Sequence, residues 1–154
     1  MGRIASKLAE LNIVLPAAPK PVASYVAYVK TGNLVYISGQ LPSKDGQVQY
    51  KGQVPKTATP EDAKVAARLA TINALAVLND ACGGDLDKVK RIVRIGVWVQ
   101  NACGFEGQPA IANGASDLLV EVFGDAGKHA RAAVGTNSLP LGAVVEVELL
   151  AEVE

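Results

Sequence analysis

The residues best suited to chemistry lie in the C-terminal part of the chain. Arg131 stands in a short segment of small and β-branched residues, and Glu146, Glu148 and Glu152 alternate with apolar residues further on. A guanidinium presents a rigid fork that can hold a carboxylate through two parallel hydrogen bonds. A carboxylate near such an arginine stays ionised and can accept a hydrogen bond from water. Spacing alone favours a surface or salt-bridging role for Arg131, and a solvated acidic strand face remains the alternative for the glutamates.

The two cysteines and the single histidine are weaker candidates for catalytic or metal-binding roles. One histidine excludes a multi-histidine metal site and argues against a histidine-based triad. Cys103 could act as a nucleophile with His129, but an inert thiol is the favoured interpretation. His129 immediately precedes Ala130-Arg131 and could line a cleft, although a loop-surface role fits at least as well. The sequence leaves a Cys82–Cys103 disulfide open.

Composition excludes several classes of protein. The chain has 154 residues, 49% of them hydrophobic, so it can bury a core and is not generally disordered. Fifteen basic residues balance fifteen acidic ones. The chain therefore has no net positive charge that would attract it to nucleic acid or anionic lipid. No apolar run approaches the roughly 18 residues of a membrane span, and a signal-peptide core is missing. These features predict a cytoplasmic protein with neither a membrane nor a nucleic-acid partner.

The first half of the chain is predicted to form a helix, a hairpin and a second helix. The first dozen residues show helical spacing and lead into a proline-rich connector. The hairpin joins Tyr25–Lys30 to Leu34–Ser38 through the turn Thr31-Gly32-Asn33. The second helix begins at Thr59-Pro60, a capping threonine followed by a first-turn proline, and ends at Cys82-Gly83-Gly84. Its apolar stripe is predicted to be Val65, Leu69, Ile72 and Ala76.

The second half is predicted to alternate strands with one more helix. Val89–Gln100 is the clearest strand, followed by a helix over Pro109–Phe123 and strands over Ala130–Val134 and Val144–Val153. One face of the first of these strands is predicted to carry Val93, Ile95, Val97 and Val99.

These elements predict an α+β fold, a mixed sheet with two helices packed on one face. The whole chain, residues 1–154, is predicted to be a single domain with an N-terminal helical extension over about residues 1–20. The uncovered sheet face would still carry Tyr36, Ile92 and Trp98. Exposed side chains of this kind often mark an oligomer interface.

Four local features together resemble a known family. They are Ser38-Gly39-Gln40, Ala130-Arg131-Ala132-Ala133-Val134, Leu139-Pro140-Leu141-Gly142 and Val145-Glu146-Val147-Glu148. In order and spacing, over roughly residues 22–154, they resemble the reactive intermediate deaminase (Rid) family, also called the YjgF-like or L-PSP endoribonuclease family. The resemblance implies a chorismate-mutase-like fold and a homotrimer with clefts between neighbouring subunits. Its arginine-bearing members hydrolyse imines and enamines, such as 2-aminoacrylate, to 2-keto acids and ammonia without a metal or organic cofactor.

The resemblance assigns the two catalytic roles. Arg131 takes the position of the arginine that binds the substrate carboxylate. Glu146 takes that of the glutamate that positions or activates the hydrolytic water, and Glu148 is then a bystander.

It also implies three substrate-binding residues near the predicted hairpin. Tyr25 would close the cleft from a neighbouring subunit, while the Ser38 hydroxyl and the Gly39 N–H would hold the substrate. A glycine at position 39 suits close backbone approach to a ligand. Packing within the hairpin remains the alternative for Tyr25, and a strand-end hydrogen bond for Ser38.

Two positions depart from the family pattern. Ala133 stands where the family usually has a cysteine, a position whose main-chain N–H and C=O are thought to contact carboxylate and water, so alanine can keep that role. Cys103 stands where an asparagine is common, which removes an amide from the substrate-binding set. Asn101 could compensate.

The sequence therefore predicts a 2-iminopropanoate/2-aminoacrylate-type deaminase that acts on a small carboxylate-bearing substrate and needs no cofactor. The first alternative is a non-catalytic protein that binds 2-keto acids. Endoribonuclease activity finds little support, because the net charge is zero and no basic, aromatic-rich stripe is present. A chorismate mutase is weaker still.

Overall fold

The chain folds into a five-stranded mixed sheet with helices packed on one face. The computed structural model describes residues 2–154. Its helices are α1 (Arg3–Glu10), α2 (Pro60–Ala81) and α3 (Gln108–Phe123). Its strands are β1 (Tyr28–Thr31), β2 (Leu34–Gln40), β3 (Ser43–Lys44), β4 (Gln47–Val48), β5 (Val89–Gln100), β6 (Ala130–Thr136) and β7 (Val145–Val153).

The main sheet has the strand order β1-β2-β7-β5-β6, and β3 pairs with β4 in a separate hairpin. β6 runs parallel to β5, and the other neighbours in the main sheet are antiparallel. β6 is thus an edge strand, joined to β5 by α3. This mixed α+β architecture agrees with the predicted fold class, with α1 as a third helix.

Helix α2 begins and ends where the sequence predicts, but its buried face is only partly the predicted one. The Thr59 hydroxyl accepts a hydrogen bond from the Asp62 N–H at 3.1 Å, and Cys82 is the C-cap. The predicted stripe is right in part: Ala76 is buried and Ile72 packs against the core. Val65, however, is 51% exposed, while a row of alanines is fully buried. That row is Ala63, Ala66, Ala67, Ala70 and Ala74. These small side chains let the helix backbone lie close to the sheet, as the many alanines of this segment suggest.

Strand β5 has the predicted bounds but an altered face. Its pairing with β7 shifts between Val89 and Arg91 and again between Ile92 and Arg94. The second shift points the Ile92 side chain into the core, where it is 1% exposed, and leaves Val93 only partly buried. A β-bulge reverses the side-chain alternation at that point, so the predicted outward position of Ile92 is wrong.

The N-terminal helix is held by a distant aspartate. Ile4 and Leu8 of α1 enter the main core, whereas its N-cap, Gly2, has no side-chain hydrogen bond. The Asp87 carboxylate instead accepts from the N–H groups of Arg3 and Ile4, both at 2.8 Å. A carboxylate at a helix N-terminus satisfies unpaired N–H groups and complements the helix dipole.

Replacing Asp87 with alanine should therefore loosen α1. Loss of a capping side chain costs about 0.5–2 kcal/mol, measurable as a lower urea midpoint and faster amide exchange in α1. Asp80→Ala, at an exposed position of α2, is the matched control. Equal stability of the two variants would contradict this role of Asp87.

No helix among residues 2–154 is both long and apolar enough to cross a bilayer.

Candidate functional site

Arg131 lies on the edge strand with its side chain turned towards α3. Its Cα partner on β5 is Ile95, which is fully buried beneath the helices, so Arg131 points to the same face. Nη1 donates to Asn113 Oδ1 at 2.8 Å and to Ser116 Oγ at 3.2 Å. Sequence analysis missed both acceptors. Their one signal is the spacing of two polar residues on one side of an otherwise apolar helix.

These contacts leave one edge of the guanidinium free. Within residues 2–154, neither Nε nor Nη2 of Arg131 has a hydrogen-bond acceptor. Nε–H and the neighbouring Nη2–H point the same way and match the two oxygens of a carboxylate. The side chain is exposed, so a ligand can reach this edge.

The segment of α3 that carries these acceptors is pressed against α2. Gly114 is buried, and a Cβ atom there would collide with the carbonyl oxygen of Lys64. The missing side chain allows the two helix backbones to touch at this point.

Glu146 lies on the opposite face of the sheet. It pairs across the strands with Trp98, and its carboxylate packs directly against Gly39, where a Cβ atom would collide with it. The other glutamates on this face have cationic partners: Glu148 lies 3.0 Å from Arg94, and Glu152 lies 3.3 Å from Arg91. Within residues 2–154, Glu146 has none. Partial burial, assisted by repulsion from Glu148, raises the pKa of the Glu146 carboxyl above its usual value.

Tyr25 and Gly39 line a cleft of about 250 Å³, and Gly39 is also the residue against which the Glu146 carboxylate packs. The Tyr25 side chain is 56% exposed. Leu141, which the sequence analysis placed in a turn and not in the site, also lines the cleft. The Ser38 hydroxyl donates to the Val26 carbonyl at 2.6 Å, so it fixes the connector that carries Tyr25. Its hydrogen is used there, and only its lone pairs remain for a ligand.

Within one chain the predicted residues therefore form two separate groups. Tyr25, Ser38, Gly39 and Glu146 share one group, on β2, β7 and the connector before β1. Arg131 belongs to the second group, with Ala133, whose partner on β5 is the buried Val97. The two groups lie on opposite faces of the sheet and cannot hold one small molecule together inside a single chain.

The two departing positions lie apart from Arg131. Cys103 is exposed in the turn after β5, beyond Gln100, which pairs with Thr136 at the other end of β6 from Arg131. The Asn101 amide is engaged locally: Oδ1 accepts from Gln108 Nε2 at 3.0 Å, and Nδ2 donates to the Ala102 carbonyl at 3.0 Å. The Asn101 amide is therefore held in place by its own neighbours, which counts against it as a replacement for the amide that Cys103 lacks.

The cysteines are not bonded to each other, so the disulfide that the sequence left open is absent. Cys82 is buried at the end of α2, and burial raises the pKa of its thiol, which suits an inert role. Among residues 2–154, no three or more His, Cys, Asp and Glu side chains are grouped so that they could hold a metal ion.

Comparison with known proteins gives consistent matches over nearly the whole chain. The model of the YjgF/chorismate mutase-like family, whose description also includes the term endoribonuclease, matches residues 5–153. Protein TCP17 of Trypanosoma cruzi is 44% identical over 152 residues, covering 98% of this chain and 94% of the relative. A 2-iminobutanoate/2-iminopropanoate deaminase of Dermatophagoides farinae is 32% identical over 142 residues, covering 92% and 95% of the two chains.

A solved structure shares the fold along its length. Protein Atu1372 of Agrobacterium tumefaciens, described as having unknown function, superposes with a TM-score of 0.92 at 39% identity. The match covers 99% of this chain and 93% of that protein, so it includes the N-terminal helix α1.

Proposed function

The chain belongs to the YjgF/Rid family, and on that premise we propose that it is an imine/enamine deaminase acting on small 2-imino acids such as 2-iminopropanoate. The products would be a 2-keto acid and ammonia. The relative named 2-iminobutanoate/2-iminopropanoate deaminase supports this reaction class. The free guanidinium edge of Arg131 supports a substrate that carries a carboxylate.

In this proposal Arg131 binds the substrate carboxylate through hydrogen bonds donated by Nε–H and Nη2–H. Glu146 accepts a proton from water as the water oxygen attacks C2 of the imine, and then returns it to the substrate nitrogen. Glu146 then takes the proton of the C2 hydroxyl and passes it to the nitrogen of the carbinolamine. The C–N bond breaks, ammonia leaves, and the C2 oxygen becomes the keto group. A carboxyl with a raised pKa is suited to accept and return a proton near neutral pH.

The remaining residues hold the reacting atoms. The Ser38 oxygen, which can only accept, would receive an N–H of the imine or of the leaving amine. The Gly39 N–H and the Ala133 main-chain N–H and C=O would contact the substrate and the water, while Tyr25 would close the cleft. No step in this scheme calls for a cofactor.

The observation that carries the proposal is the complementarity of the two half-sites. One half-site offers Glu146, which is half-buried, and the other offers Arg131 with a free guanidinium edge. Over the part of the chain that the structure describes, Glu146 has no cationic partner and Arg131 has no acidic one. We therefore propose that the cleft forms between copies of the chain, with Arg131 and Ala133 from one and Tyr25, Ser38, Gly39 and Glu146 from the next. A homotrimer would close this head-to-tail arrangement. Tyr36, 48% exposed, and the half-buried Trp98 lie on the uncovered sheet face and support such an interface.

Mixing two inactive variants tests this arrangement directly. Arg131→Ala and Glu146→Gln, unfolded and refolded together in equal amounts, should regain roughly a quarter of the wild-type activity, because random mixing gives one cleft in four both intact residues. The measurement is 2-keto acid formation from 2-iminopropanoate generated in situ.

Each variant refolded alone is the control and should keep only its small residual activity. No recovery in the mixture, with mixed oligomers verified by mass spectrometry, would place both residues in the same half of the site and overturn the shared cleft.

A non-catalytic role in 2-keto acid binding is the second candidate. It is favoured by Cys103 at the usual asparagine position and by the local engagement of the Asn101 amide. Calorimetry with 2-oxobutanoate, run beside an ammonia-release assay, separates the two. Binding without ammonia release from any of several 2-imino acids would select the second candidate.

A further inference from the structure

The chain's single histidine is joined to Arg131 through one serine. His129 Nε2 lies 2.9 Å from Ser116 Oγ, and His129 Nδ1 lies 2.6 Å from the Gly127 carbonyl oxygen. The same Ser116 oxygen accepts from Arg131 Nη1 at 3.2 Å. None of the roles proposed above uses His129 or Ser116.

The direction of each hydrogen bond follows from the chemistry of the groups. A carbonyl oxygen only accepts, so Nδ1 must carry the ring hydrogen. In the neutral ring Nε2 is then an acceptor, and the Ser116 hydroxyl donates to it. This leaves the lone pairs of Ser116 to Arg131, so the donors run in one direction: Arg131 to Ser116, Ser116 to His129, His129 to Gly127.

The opposite tautomer does not fit. With hydrogen on Nε2, the Nδ1 lone pair would face the carbonyl lone pairs across 2.6 Å, which is repulsive. The Ser116 hydroxyl would also lose its acceptor on the ring. The backbone carbonyl of Gly127 therefore fixes the ring, and the ring fixes the rotation of the Ser116 hydroxyl.

We propose that His129 and Ser116 are positioning residues that hold the guanidinium plane of Arg131, so that only its Nε/Nη2 edge is presented to a ligand. This inference rests on the proposed function and deepens it. Asn113 and Ser116 occupy Nη1, so the end-on fork made by Nη1 and Nη2 is blocked. The carboxylate of the ligand is then held side-on, in one orientation.

Two substitutions of the histidine separate its two contacts. In His129→Gln the side-chain amide can replace Nε2 as the acceptor for Ser116. In His129→Asn it can replace Nδ1 as the donor to Gly127, but it no longer reaches Ser116. We expect near-wild-type kinetics for His129→Gln. For His129→Asn and for Ser116→Ala we expect KM for 2-iminopropanoate to rise about tenfold with a smaller change in kcat, because a hydrogen bond to a charged group is lost.

The kinetic result that overturns the proposal is an unchanged KM in His129→Asn, or equal losses in His129→Asn and His129→Gln. A merely structural histidine would produce the second pattern, together with equal losses of thermal stability. The asparagine and glutamine variants are each other's control for folding.

Spectroscopy tests the network without any assay of turnover. In untagged protein, ¹⁵N NMR of the single histidine should show Nδ1 as the protonated ring nitrogen and Nε2 as the unprotonated one. Ser116→Ala should shift the Nε2 resonance and leave the Nδ1 resonance nearly unchanged. A ring protonated on Nε2 in the wild type would overturn the inference.

The two proposals can fail separately. If the wild type releases no ammonia from any 2-imino acid, the proposed function fails, and the affinity for 2-oxobutanoate replaces KM as the measure for the same variants. Weaker binding of 2-oxobutanoate by His129→Asn but not by His129→Gln would still support the positioning role. Identical affinities of the two variants would overturn it.

Discussion

Replacing Arg131 with alanine is expected to lower kcat/KM for 2-iminopropanoate by about 30- to 4,000-fold, since removing one partner of a hydrogen-bonded charge pair costs about 2–5 kcal/mol. The substrate is small and offers little apolar area, so the carboxylate contact must supply much of its orientation. Arg131→Lys keeps the charge but not the planar fork and should recover only a part of the loss.

The fold should survive this change. Arg131 is exposed on an edge strand, and its side-chain hydrogen bonds within residues 2–154 go to Asn113 and Ser116. Arg68→Ala is the matched control: it removes an arginine that pairs with Glu121 at 3.0 Å between α2 and α3, and neither residue is assigned to the proposed cleft. Full turnover by a folded Arg131→Ala protein would refute the proposed function.

Glu146→Gln is expected to reduce kcat by about 10²- to 10⁴-fold, the usual contribution of a general base. The amide keeps the size of the side chain against Gly39 but cannot accept a proton from water. Carboxylate binding depends on Arg131, so KM should change little. Steady-state kinetics on the two variants thus separates binding from chemistry: Arg131→Ala acts on both constants and Glu146→Gln mainly on kcat.

The pH profile of the rate gives a second test of Glu146 as the general base. Glu146 must be ionised to act as a base, and partial burial raises the pKa of its carboxyl. The wild-type rate should therefore fall on the acid side, at a higher pH than an ordinary glutamate would give, and the residual activity of Glu146→Gln should lack this fall. Glu148→Gln removes the partner of Arg94 and also a carboxylate that repels Glu146, so this variant should keep the fall in rate but show it at a somewhat lower pH than the wild type. An acid limb that persists in Glu146→Gln would assign the titration to another group.

The boundaries of the main elements were predictable because local chemistry sets them. Thr59-Pro60 begins α2 and Cys82 ends it, and the alternation of apolar residues marks β5 over Val89–Gln100. The buried face of α2 was predictable only in part from hydrophobicity, because alanines pack against the sheet while Val65 is exposed. The outward position predicted for Ile92 failed for another reason: a bulge depends on the pairing of two strands, and one strand's sequence does not reveal it.

For the candidate site, local motifs identified individual residues but not their arrangement. Arg131 and Glu146 lie on neighbouring segments of sequence, which suggests proximity. Strand register instead places them on opposite faces of the sheet, since Arg131 pairs with the buried Ile95 and Glu146 with Trp98. Asn113 and Ser116 were missed because a polar residue on an amphipathic helix is expected to face solvent.

The contact at Gly114 extends the candidate site to a residue that can touch no ligand. Any side chain at this position must push α3 away from the Lys64 carbonyl, and α3 carries the oxygens that steady Arg131. A survey of substitutions would record position 114 as intolerant and attribute this to folding alone. On the proposed function, the displaced turn of α3 would also reorient Arg131, and part of that intolerance would then reflect ligand binding transmitted through a single helix–helix contact.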